Sequence, residues 1–143
     1  MPKKSTLVED QFSKYNCAQT VFSLFAKDLG LEETTALKIA SGFGGGMACA
    51  ETCGAVTGAY MVIGMKYGNF KPYDFEGKAN TKAFVRRFNE QFKKIHGSLV
   101  CKELTGFDIS TPEGSVAAKE ANVYSLKCTK FIKTACDILE EKF

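Results

Sequence analysis

The chain has 143 residues, 45% of them apolar and 24% charged, a composition that fits one globular domain and excludes collagen, extended disorder and a membrane bundle. Nineteen Lys and Arg against sixteen Asp and Glu leave a charge of +3, too small and too scattered to imply nucleic acid. Six cysteines beside a single histidine are the unusual feature, so chemistry is sought among thiols and glycines.

Met1-Pro2-Lys3-Lys4-Ser5 runs into Thr6-Leu7-Val8-Glu9-Asp10 without the apolar core of a secretory signal. The longest apolar run, Gly54 to Met65, falls short of the roughly 20 residues that span a bilayer. A cytoplasmic protein with no membrane insertion is therefore expected. In a reducing compartment, six thiols point to redox chemistry or metal binding more than to a permanent disulfide frame.

Phe12, Tyr15, Ala18, Phe22, Phe25 and Leu29 recur every three or four residues, which predicts an amphipathic helix with Thr6-x-x-Glu9 as its capping box and Gly30 as its stop. A short second helix is expected from about Glu33 to Ser41, against the glycines that follow. The stretch from Gly42 to Gly46 reads as a glycine loop feeding a third helix, about Thr52 to Lys66. That helix is apolar on nearly every side, and Gly54, Ala55, Gly58 and Ala59 leave room for another backbone, so it is expected to be central and buried. Glycine costs about 1 kcal/mol in a helix interior, so Gly54, Gly58 and Gly64 each call for a compensating contact or function.

Phe84, Phe88, Phe92 and Ile95 mark a fourth helix ending at Gly97. Ser98 can cap a short helix through Leu104, and Thr111-Pro112 has the order of an N-cap followed by proline at the first helical position. A last helix from about Ser125 to Glu141 puts Cys128, Ile132, Ala135 and Leu139 on one stripe. No strand pattern, long repeat or second domain is evident. The expected fold is one all-α domain over residues 1–143, a bundle of five to seven helices around a central helix rich in small residues.

The thiols are Cys17, Cys49, Cys53, Cys101, Cys128 and Cys136. No pair has the two-residue gap of a thioredoxin-type or zinc-knuckle motif, and without C-x-x-C-H no covalent haem is implied. Cys49 and Cys53 do fall within the spacing of zinc ligands. Cys53, Cys101 and Cys128 each fall in the predicted first turn of a helix, where unpaired N–H groups and the positive helix end favour thiolate and lower its pKa. Free cysteine is also a common core residue, and Cys17 and Cys136 suit that role. Gly44-Gly45-Gly46 could present backbone N–H groups to an anion, and together with Gly54 and Gly58 these are the candidate cofactor-binding positions. The residues that complete a phosphate loop are missing. His96, beside Gly97, reads as a helix-terminal contact.

Asn16-Cys17-Ala18-Gln19, Phe43-Gly44-Gly45-Gly46-Met47 and Cys53-Gly54-Ala55-Val56-Thr57-Gly58, in this order and followed by Gly97-Ser98-x-x-Cys101 and Cys128, resemble the C_GCAxxG_C_C family of small redox-active proteins. The resemblance covers about residues 10 to 140. It implies a helical architecture and a set of principal thiols, Cys17, Cys53, Cys101 and Cys128, without supplying a substrate. The domain also resembles part of split-Soret cytochromes, which are dimeric and carry haem, but the attachment motif is absent and haem is not carried over.

Three functions follow as expectations. In the first, Cys53 exchanges electrons with Cys17, Cys101 or Cys128 by thiol–disulfide chemistry, with a redox partner the sequence does not name. In the second, Cys17, Cys53, Cys101 and Cys128, with Cys49 in reserve, ligate zinc or an iron–sulfur cluster. In the third, the glycine-rich helix docks against a second copy in a homodimer or against another protein.

Overall fold

Asn16 decides where the first long helix begins. Its carboxamide oxygen accepts from the Gln19 N–H at 2.8 Å, and the Gln19 side chain accepts from the Asn16 N–H at 3.0 Å, a reciprocal capping box. The computed structural model describes residues 2–143; Met1, part of the domain read from the sequence, lies outside them. A tight turn over Lys4–Leu7 leads into α1 (Val8–Phe12), and α2 (Cys17–Ala26) follows after a break. The single helix expected from the Phe12–Leu29 stripe is thus divided. The expected box is not formed either, since the Thr6 hydroxyl donates to the Lys3 carbonyl at 2.7 Å and Glu9 pairs with Lys133. Steps of three and four persist through a turn, so the apolar stripe hid the break.

Helix α3 (Glu33–Ala40) lies where it is expected and packs on α2. Beyond it the chain makes a left-handed turn, with φ near +60° at Gly45, Gly46, Met47 and Ala48, and again at Ala50. L-residues avoid this conformation at about 1–2 kcal/mol each. The turn closes where the Glu51 N–H donates to the Gly46 carbonyl at 3.1 Å. Thr52 then pairs antiparallel with Val100, flanked by hydrogen bonds from the Cys53 N–H to Leu99 O (2.8 Å) and from the Cys101 N–H to Glu51 O (2.6 Å). This pairing holds Thr52 out of the third helix, and α4 (Gly54–Tyr67) starts after it.

Helix α4 packs against α2, α5 (Phe75–His96) and α8 (Thr129–Lys142). At its crossing with α2, a side-chain carbon on Gly58 would lie 2.9 Å from the Ala18 carbonyl oxygen and 3.0 Å from Val21 Cβ. Gly58 therefore has the compensating contact its helical position asks for. Gly64 does not: nothing stands within 4 Å of the same probe position. Asp74 caps α5, which buries Phe88 and Phe92 and ends at Gly97 with φ +84°. Helix α6 (Cys101–Thr105) begins later than expected, because Ser98 bonds the Val100 N–H and the Glu103 carboxylate instead of capping a helix. Thr111 caps α7 (Pro112–Glu120) by accepting from the Gly114 N–H at 3.0 Å, with Pro112 at the first position. A wide turn over Tyr124–Cys128 runs directly into α8. Apart from the Thr52–Val100 pairing, the regular structure of the described residues is helical. No helix among them is long and apolar enough to cross a membrane.

Candidate functional site

Cys17 opens α2, Cys53 stands immediately before α4, Cys101 opens α6, and Cys128 lies where the wide turn meets α8. All four line one cleft of about 140 Å³, whose wall is completed mainly by Phe12, Leu104, Ile109, Tyr124 and Phe131. Three features of local packing bring these distant residues together. The Thr52–Val100 pair exchanges no hydrogen bonds, so Cys53 and Cys101 project from the same face of the two paired segments. Gly54 lacks the carbon that would overlap the Cys17 sulfur, and that sulfur occupies the vacant space. Helix α8 packs on both α2 and α4, which carries Cys128 to the same end of the core.

Cys17 has the most polar setting of the four. Backbone N–H groups of Gly45, Ala18, Gly54 and Cys17 itself are directed at its sulfur, partly opposing the burial that raises its pKa. The other three have weaker support. Burial pushes Cys53 well above the ordinary thiol range, with the neighbouring Cys17, Cys101 and Cys128 adding to the shift and only the Ala55 N–H opposing it. Burial and the nearby Cys17 raise Cys101 to about 11, and burial with Cys17 and Cys101 raises Cys128 to about 12.

The lowered thiol pKa expected at Cys53, Cys101 and Cys128 is thus corrected. Loss of hydration outweighs the helix ends, and Cys128 follows helical backbone, so it faces no free helix start. Cys53, Cys101 and Cys128 also feel the charge of neighbouring cysteines, so one thiolate in the cleft discourages a second.

The remaining candidates separate by position. Gly45 and Gly54 line the cleft; Gly44 packs on Asn16, Gly46 lies against Glu51 and Cys101 Cβ, and Gly58 serves the α2–α4 crossing. The N–H groups of Gly45 and Gly54, considered for an external anion, are directed at Cys17. Cys49 is exposed on the left-handed turn, its thiol donating to Gly46 O at 3.2 Å, and is not part of the cleft wall. Cys136 is fully buried in the core, where burial raises its thiol to about 12. His96 ends α5, bonded to Thr134 at 2.8 Å and lying against Phe92 and Phe131, as a helix-terminal contact would.

Sequence reasoning passed over Tyr124 and Ile109. Tyr124 stands four residues before Cys128, a spacing that shares one face of a helical turn, and its phenol is raised by burial and by Cys128. That spacing was the available signal; nothing in the sequence marked Ile109.

One protein-family pattern matches the chain over residues 15–142, nearly its whole length. The chain belongs to the C_GCAxxG_C_C family. Its description reads "Putative redox-active protein (C_GCAxxG_C_C)". No curated protein and no solved structure gives a significant match to the chain.

Proposed function

We propose that this member of the C_GCAxxG_C_C family carries out thiol–disulfide exchange in the cleft, with Cys17 as the attacking sulfur and one of Cys53, Cys101 and Cys128 as its resolving partner. The carrying observation is the convergence of the four cysteines from separate elements on one small apolar cleft. Cys17 replaces Cys53 as the leading nucleophile, because four backbone N–H groups support a charge on the Cys17 sulfur and one supports Cys53. The thiolate attacks an oxidised sulfur, the S–S bond breaks, and the leaving thiolate takes a proton. A second cleft thiol then attacks the mixed disulfide, closes an internal disulfide and releases the remaining half of the substrate as a thiol.

Exchange asks that two sulfurs meet, whereas metal ligation asks that three or four converge on one point. Among the described residues, no group of three or more His, Cys, Asp or Glu side chains is disposed to hold one metal ion. No step is therefore derived through a single zinc ion.

A redox titration against dithiothreitol, read by maleimide tagging, tests the reading. The expected result is loss of two thiols in one two-electron step, abolished in Cys17→Ser; thiols lost one at a time as separate adducts would contradict it. The pH dependence follows from the raised pKa values. Alkylation of Cys101 and Cys128 should be slow at neutral pH and climb about tenfold per pH unit, levelling only near pH 11 and 12. The linked stability has a definite sign. Folding favours the protonated thiols, so their contribution is complete below the unfolded value of about 8.5 and is lost as pH rises through the folded values.

A further inference from the structure

Thiol–disulfide exchange moves negative charge along a line of three sulfurs, from the attacking sulfur to the leaving one. At the attacking end, the N–H groups of Gly45, Ala18, Gly54 and Cys17 face the Cys17 sulfur. The rest of the cleft wall is largely apolar, so a thiolate expelled within it would lack both water and a hydrogen-bond donor. A donor for that sulfur has to come from a side chain of the wall.

Apart from the cysteines, three residues of the wall carry a polar side chain: Asn16, Thr105 and Tyr124. Two of them are committed elsewhere. Asn16 caps α2 and donates to Ser41 O at 3.0 Å, and the Thr105 hydroxyl donates to Cys101 O at 2.8 Å. Tyr60 and Tyr67, outside the cleft, likewise donate their hydroxyls to Asn89 and to Phe143 O. The Tyr124 hydroxyl differs: it has no hydrogen-bond partner among the described residues, and it is not sealed off in the core. Its ring lines the cysteine cleft and also the wider, mainly apolar groove of about 470 Å³ beside it, so Tyr124 stands where one space opens into the other. Burial, and then charge on Cys128, Cys101 and Cys17, hold the phenol protonated, as a donor must be.

Accepting the exchange reading above, we propose that Tyr124 is a catalytic residue of the first step, its O–H donating to the leaving sulfur of a disulfide that reaches Cys17 from the groove. The Cys17 thiolate attacks the nearer sulfur, a new S–S bond forms and the substrate S–S bond breaks. The thiolate that leaves on the groove side accepts the Tyr124 hydrogen bond as its charge develops, and Tyr124 keeps its proton. That thiolate then takes the proton released by the resolving cysteine, which attacks the mixed disulfide and expels the second half of the substrate, protonated by water. Two protein thiols are oxidised to one disulfide, and the substrate disulfide is reduced to two thiols.

The test uses two uncharged reagents that transfer the same hydroxyethylthio group and differ in what they expel. Bis(2-hydroxyethyl) disulfide expels a thiolate, which gains from a donor, whereas 2-hydroxyethyl methanethiosulfonate expels methanesulfinate, an anion stable without one. Rates are read at Cys17 in the reduced protein by acid quench, alkylation and peptide mapping, with exposed Cys49 as the internal control. Tyr124→Phe keeps the ring and removes the O–H. It should slow the disulfide at Cys17 about tenfold, the scale of a hydrogen bond to a charged acceptor, and leave the thiosulfonate rate nearly unchanged. At Cys49 neither rate should move. Slowing of the thiosulfonate as large as that of the disulfide, which a change in packing or in Cys17 itself would give, or no slowing of either, would overturn the proposal. The wild type keeps the two levels apart. If the disulfide reagent closes an internal disulfide there and Tyr124→Phe does not separate the reagents, the role of Tyr124 fails and the exchange reading stands. If the wild type closes none, the exchange reading falls and takes the proposal with it.

Discussion

Gly45 and Gly54 border the same cleft, and both direct a backbone N–H at the Cys17 sulfur, but they depend on glycine for different reasons. Gly45 has φ +61°, and a side-chain carbon there would meet only the flexible end of Ile109 at 3.1 Å. Its requirement is conformational. Gly54 lies in ordinary helical backbone, and the same carbon would overlap the Cys17 sulfur while standing 3.0 Å from Ala18 N and 3.1 Å from Phe43 O. Its requirement is space, and backbone atoms on two sides cannot yield easily. Met47 and Ala48 sharpen the difference, because they hold φ near +60° without being glycine. A left-handed φ is a cost the fold can bear, whereas the room beside Cys17 has no substitute.

The largest effect is therefore expected from Gly54→Ala, with about 3 kcal/mol lost in urea unfolding through overpacking and a disrupted two-thiol redox step. A loss below about 1 kcal/mol with the redox step intact would show that Cys17 is not lodged against Gly54. Gly45→Ala should cost about 1–2 kcal/mol, the price of a left-handed alanine, and leave the redox step in place, because the substituted residue keeps its N–H. If it abolished the step without altering stability, the conformational account of Gly45 would be wrong. Gly64→Ala, a control in α4 with open space around it, should raise stability by up to about 1 kcal/mol, since alanine is the better helix former. Destabilisation there would mean that space in α4 is limiting well beyond Cys17.

Where sequence and structure agree, a local rule was enough. Thr111-Pro112 and the short α3 carry their own start signals, and the apolar residues of α4 specify a buried helix. Where they part, the deciding interaction is either masked by the apolar stripe or not local. The break before α2 depends on Asn16 and Gln19 bonding each other and on the Asn16 carboxamide reaching Ser41 O at 3.0 Å. The first residues of α4 and α6 are set by the pairing of Thr52 with Val100 across a long stretch of chain. The left-handed turn could be suspected at Gly45 and Gly46 but not at Met47 or Ala48, residue types that avoid it.

The cysteine grouping was legible only through the family pattern, since no spacing in the sequence links Cys17 to Cys128. Their pKa values were misjudged for a physical reason: helix starts can be read from capping signals, while burial depends on what other elements cover. Tyr124 and Ile109 enter the site through that same covering.

Peptide mapping of the protein after stoichiometric diamide, with free thiols blocked beforehand by acid quench and alkylation, is the most direct test of exchange in the cleft. The account predicts one internal disulfide joining Cys17 to one of Cys53, Cys101 and Cys128, with Cys136 recovered in its alkylated, unbridged form. A bridge that leaves out Cys17 or runs through Cys49 or Cys136, or no internal bridge at all, would contradict it.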